Sequence, residues 1–109
     1  MTAETNTKYG LFGKLKAKPG KGDELIAILM ENAQTDSPMP GCLQYLIGKD
    51  PDNEELILIS EVWETKEDHA NSLKLESVRA AIARAMPLLD GMPEKGIVWE
   101  VVGGLGLAS

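Results

Sequence analysis

Cysteine and histidine are almost missing: Cys42 and His69 are each the single example in 109 residues. A lone cysteine closes no internal disulfide, which suits a reducing cytoplasm, and one thiol with one imidazole cannot build a zinc cluster. Positive charge is scarce, with 11 Lys and Arg against 17 Asp and Glu, for a formal net charge of −6. No Lys/Arg stripe is interleaved with aromatics, so neither nucleic acid nor an anionic membrane surface is an expected partner. Long apolar runs are lacking as well. Nothing approaches the ~18 residues of a membrane span, and the polar stretch Met1 to Lys8 offers no apolar segment of a secretory leader. No glycine-rich phosphate loop opens a helix after a strand, because Gly10 and Gly13 fall inside a strand. The expected content of metal, haem and flavin is therefore none.

What is present is ordinary globular material, 43% hydrophobic and 26% charged. The length suits one core, and a domain this small buries only about two thirds of its unfolded surface. A second copy would let it bury more, so a homodimer is the expected state.

Two hydrophobic periods alternate along the chain. Residues 1–8 read as a flexible tail, 9–102 as a single domain, and 103–109 as a glycine-rich end. Tyr9, Leu11, Gly13, Leu15 and Ala17 share one face of a strand that stops at Pro19-Gly20. Leu25, Ile28, Leu29 and Asn32 recur at helical spacing behind Asp23 and Glu24, and Asp36 to Gly41 breaks that helix. Cys42 to Gly48 and Glu55 to Trp63 read as strands around a Pro51-Asp52-Asn53 turn. Thr65 with Asp68 resembles a capping box and opens a short helix through Leu75. A second helical stretch presents Val78, Ala81, Ile82, Ala85 and Met86 on one face up to Pro87. Ile97 to Val102 is the last strand.

The order βαββαβ, with its second helix split, predicts an α+β ferredoxin-like fold: four antiparallel strands with the helices on one face. In the third strand both Leu56, Leu58, Val62 and Ile57, Ile59, Trp63 are apolar. The sheet therefore needs cover on two sides, and a second sheet packed face to face supplies it.

Three local signatures then resemble the antibiotic biosynthesis monooxygenase family, which includes quinol monooxygenases. They are Lys18-Pro-Gly-Lys-Gly-Asp-Glu24 after the first strand, Met39-Pro-Gly-Cys-Leu-Gln-Tyr45 leading into the second, and Glu61-Val-Trp63 followed by Glu67-Asp68-His69. The resemblance covers roughly residues 9–102. It implies a dimeric α+β barrel with a pocket between each sheet and its own helices. It also implies cofactor-free oxygenation of a small aromatic phenol, anthrone or quinol. Such a substrate carries its own electrons, so the protein supplies a dry cavity, a proton acceptor and orientation.

The candidate catalytic residues are His69 and Glu61, and the candidate substrate-binding residues are Trp63, Tyr45, Ile59 and Ser72. Trp63 is either a pocket wall or a core indole whose N–H finds a carbonyl. Glu61, between Ile59 and Trp63 on one strand face, is costly to bury unless paired, so it is either an ion-pair partner of a Lys or Arg or a proton acceptor. His69 is the only example of the one side-chain type whose unperturbed titration falls near neutral pH, and Leu73 one turn later could aim it at the pocket; otherwise it caps or decorates an exposed first turn. Tyr45 is a hydrogen-bond donor to a substrate oxygen or half-buried packing. Ser72 stands where many relatives carry a histidine, and another is missing near Ser77. Relatives that degrade haem need an Asn where Gly13 stands, and a Trp and a His where Ser72 and Ile82 stand, so that activity is not implied. Ile59 stands where polyketide-oxidising relatives often place a polar residue. Trp99 reads as dimer or barrel core, Cys42 as a small hydrophobe, and Arg79 and Arg84 as solvated charges. The competing function is a non-catalytic, stress-associated or small-molecule-binding barrel that uses the same pocket for an apolar ligand.

Overall fold

The computed structural model describes residues 7–33 and 39–106. The elements run β1 (Lys8–Lys16), α1 (Gly22–Asn32), β2 (Cys42–Asp50), β3 (Asn53–Trp63), α2 (Lys66–Ser72), α3 (Glu76–Ala85), a 3-10 turn (Met86–Leu88) and β4 (Ile97–Val101). The strands form one antiparallel sheet in the order β2-β3-β1-β4, which is the expected α+β ferredoxin-like arrangement. Several boundaries differ from the sequence reading: β2 runs on to Asp50 and β3 begins at Asn53, so the hairpin turn is shorter than expected. Lys8 belongs to β1 rather than to a tail, and β4 stops at Val101. Helix α2 ends at Ser72 instead of Leu75, because the amides of Leu73, Lys74 and Leu75 bond three residues back and tighten the chain into turns. The expected helix break falls partly on residues 34–38, which lie outside the described residues.

Local chemistry accounts for the corners. In the Lys18–Glu24 segment Gly20 takes φ +78, and Gly22 starts α1 so close to the Glu54 carbonyl that a Cβ would overlap it. Thr65 Oγ1 accepts from the Asp68 amide at 3.0 Å, which is half of a capping box. The Asp68 carboxylate instead packs against Gly41, which stands at φ +85 and accepts the Glu64 amide on its own carbonyl at 2.8 Å. The Met39-Pro-Gly41 signature is thus the joint between the start of β2 and the β3–α2 corner.

Register divides the residues of β3 between two faces. Ile57 and Ile59 pack with Leu25, Ile28, Ala81 and Ala85 under the helices. Arg84, read from sequence as a solvated charge, makes a two-pronged bond to Glu31 at 2.6 and 3.1 Å that ties α3 to α1. The end of β1 is extended by an unanticipated bridge, Ala17 with Leu89, flanked by Lys18 N–H to Leu88 O at 2.8 Å. On the other face, Leu46, Ser60, Phe12 and Ile97 lie in one row across the four strands. Trp99 lies flat over Gly10, where any Cβ would meet its ring.

Candidate active site

Between the helix-facing side of the sheet and helices α2 and α3 is a cavity of about 300 Å³. That is the lower end of the ~300–1,000 Å³ typical of small-molecule sites. Its room follows from side-chain size: Val78, Ala81 and Ala85 are the buried residues of α3, and the two alanines leave space above the sheet. Leu73, Ile82 and Met86 also line it while remaining exposed, and form an apolar lip.

The polar end is assembled from β3, β2 and α2. Antiparallel pairing sets Tyr45, Glu61 and Leu11 in one row and Cys42, Trp63 and Tyr9 in the next. A bulge at Leu43 separates the Cys42 and Gln44 pairings, so that Tyr45 still points to the helix side. Trp63 is 1% exposed, and its indole Nε1–H donates to Glu61 Oε1 at 2.9 Å. His69 reaches down from α2 with Nε2 3.8 Å from the same oxygen, its ring edge-on to Trp63 at 5.4 Å and tilted against Tyr9 at 5.7 Å. Glu61, His69, Trp63, Tyr45 and Ser72 all line the cavity, so five of the six sequence candidates meet in one place. Ile59 does not. It lies in the core beneath α1 and lines a separate, smaller cavity.

Of the two roles read for Glu61 from sequence, the ion pair with a Lys or Arg is not formed among the described residues; Glu61 holds an indole N–H and faces an imidazole. Burial raises its pKa above the ordinary carboxylate value, and the Trp63 bond and His69 pull only partly the other way. Tyr45 is driven far above the usual phenol value by burial first, then by Glu61 and Cys42, so it stays a neutral donor. Burial and Glu61 likewise push the Cys42 thiol up. Ser72 spends its proton on the His69 carbonyl at 2.6 Å, which ties the last turn of α2 rather than offering a base. The sequence reading missed Met39, Leu29 and Met86 in the wall; their spacing marks them as helix or loop hydrophobes, and only the tertiary fold shows that they face a void.

A largely buried acid with a raised pKa makes a testable link to stability. The folded chain holds the Glu61 proton to higher pH than the unfolded chain, whose glutamates release it near ~4.3. Stability therefore falls as pH rises from that value through the raised native one, and the cost is constant above it. Glu61→Gln keeps an acceptor for the indole and removes this term. Its melting temperature should exceed that of the parent at neutral pH and converge with it in acid, as read by thermal denaturation across pH. A constant difference at every pH would contradict the assignment.

Among the described residues no three or more His, Cys, Asp or Glu come together as a metal-binding group, and no helix is long and apolar enough to cross a membrane. No curated protein matches the chain. A crystal structure of a Chloroflexus aurantiacus protein named as an antibiotic biosynthesis monooxygenase is 44% identical, with 93% of this chain and 99% of that one covered at TM-score 0.84. Two Nitrosomonas europaea proteins share the fold alone. One, named for the same family, has 16% identity, covers 96% of each chain and superposes at TM-score 0.79. The other, of unknown function, has 21% identity, covers 97% of this chain and 100% of its own, and superposes at 0.78. The family model for antibiotic biosynthesis monooxygenases matches residues 9–84, the span that carries all six candidate residues. This chain belongs to the antibiotic biosynthesis monooxygenase family.

Proposed function

We propose that the chain is a cofactor-independent monooxygenase that oxidises a small aromatic phenol, anthrone or quinol with dioxygen. The observation that carries this reading is the carboxylate of Glu61, its side chain 14% exposed at the polar end of an apolar cavity and oriented by the Trp63 indole. A carboxylate held there at an energetic cost is poised to take a proton rather than to stabilise the fold.

The chemistry follows from that placement. Glu61 removes the proton from the substrate, with Tyr45 donating to the resulting oxyanion and His69 sharing the charge. The electron-rich anion gives one electron to dioxygen, and the two radicals join to form a carbon–oxygen bond. Protonation of the outer oxygen and loss of the ring hydrogen break the O–O bond. One oxygen atom stays on carbon, the other leaves as water, and the substrate supplies every electron.

The test is oxygen uptake with a panel of reduced naphthoquinones, corrected for spontaneous oxidation, with Trp63→Phe and His69→Ala as comparisons. Uptake above background that both substitutions weaken supports the enzyme. Saturable quenching of tryptophan fluorescence without oxygen uptake would support the second reading, a barrel that only binds apolar ligands. The feature favouring that second reading is Ser72, whose hydroxyl is committed to a backbone carbonyl where many relatives carry a histidine.

The same proposal includes a homodimer formed through the outer face of the sheet. Leu46, Ile97 and Trp99 are 57%, 60% and 43% exposed on that face, an unusual apolar display for a monomer. Sedimentation at micromolar concentration should give twice the 11.8 kDa chain mass. Leu46→Glu should move the equilibrium toward monomer and lower the melting temperature with it. A monomeric parent protein would exclude the interface.

A further inference from the structure

Glu61 lies on the wall of two cavities. The second, about 190 Å³, is on the β1 side of the sheet and is lined by Leu11, Leu15, Ile59 and Glu61, with Lys14 and Glu94 also bordering it. Only Leu15 and Glu61 belong to both cavities. Gly13 explains why the second one exists. It pairs with Ile59 on the helix-facing side of the sheet, and the position where its Cβ would stand has no neighbour within 4 Å. A side chain there would occupy the space that leads to Glu61.

We infer that this second cavity is a proton back door, through which the Glu61 carboxyl exchanges with solvent while the main cavity is filled. This rests on the reading of Glu61 as the proton acceptor. A substrate in the main cavity covers the carboxyl with aromatic surface and Trp63, so that side is dry during the reaction. A cavity of this size open to solvent takes up water, which needs only about 10–15 Å³ per molecule. The O–H bond of protonated Glu61 then breaks toward a water oxygen, and the proton leaves along the cavity past Glu94. The other titratable groups around Glu61 do not supply this path. Tyr45 and Cys42 on β2 keep their protons, and His69 on α2 faces the main cavity. The arrangement has a chemical use, because the proton taken from the substrate and the proton given to the departing oxygen act at different atoms. An acid in contact with solvent need not carry the same proton between them.

The experiment is a pH jump on the whole protein, followed by the carboxyl C=O stretch that Glu61→Gln removes. It is run with the main cavity empty and then saturated with 2-methoxynaphthalene, which has no exchangeable proton. The parent protein should re-equilibrate Glu61 at the same rate in both states. Gly13→Leu should match it when empty and slow at least tenfold when the ligand is bound, with Gly13→Val as a smaller plug if leucine disturbs folding. A parent protein that slows on binding ligand, or a plugged variant that does not, would overturn the back door. Neither readout depends on turnover, so absence of oxygen uptake would remove the enzyme reading without deciding this one.

Discussion

Glutamine at position 61 should lower the oxidation rate of a phenolic substrate by about 10²–10⁴-fold, the usual contribution of a positioned general base. The substitution is chosen because it changes little else. The amide is nearly the same size as the carboxyl, and its oxygen can still accept the Trp63 indole N–H that Glu61 Oε1 now receives at 2.9 Å. Substrate binding should therefore survive, and the loss should fall on kcat rather than KM. His69→Ala separates the two candidate bases. If His69 only shares charge at 3.8 Å from Glu61, its removal should cost much less than the loss of the acid. The opposite order would make the imidazole the base and Glu61 its orienting partner. Equal turnover by parent protein and Glu61→Gln would remove the carboxylate from the mechanism.

The fold was legible in the chain because period-two and helical patterns alternate cleanly, and because strand parity is a local property. Ile57, Ile59, Glu61 and Trp63 had to share a face once β3 was a strand, so their side of the sheet could be argued without coordinates. Position along the sequence could not give distances between elements. Nothing local says that the indole of Trp63 turns back along its own strand to Glu61 instead of reaching a carbonyl, or that His69 descends onto both. The same limit explains Ile59. Parity put it on the correct face, but no member of its row of the sheet, Ile47, Ile59 and Gly13, lines the main cavity. Arg84 was unreadable for a related reason, since its partner Glu31 is 53 residues away on another helix. The cavity itself depends on an absence of volume. Ala81 and Ala85 look like good helix formers in sequence, and only packing shows that they leave room unfilled.

Gly22→Ala should destabilise the domain by about 2–3 kcal/mol, within the range of overpacked sites, although alanine is the better helix residue. At the start of α1 the propensity gain is at most ~1 kcal/mol. Against it stands a methyl group that would overlap the backbone carbonyl of Glu54 at the beginning of β3. A flexible side chain could rotate away from such a contact, but this carbonyl moves only with its strand. Helix α1 must lift, and with it Leu25 and Ile28 of the core and Leu29 of the cavity wall. A loss of that size in a domain near 100 residues lowers the melting temperature by about 10–20 °C. Two other glycines serve as internal controls. Gly20→Ala meets open space but inherits φ +78, so it should cost about 1–2 kcal/mol from backbone conformation alone. Gly13→Ala has neither a neighbour within 4 Å nor a left-handed backbone, and should leave stability unchanged or slightly improved. Thermal denaturation of the three variants in one buffer should therefore rank Gly22 as the most costly, Gly20 next and Gly13 last. If Gly22→Ala were as stable as the parent protein, the close approach of α1 to β3 would have to be looser than the contact with Glu54 implies.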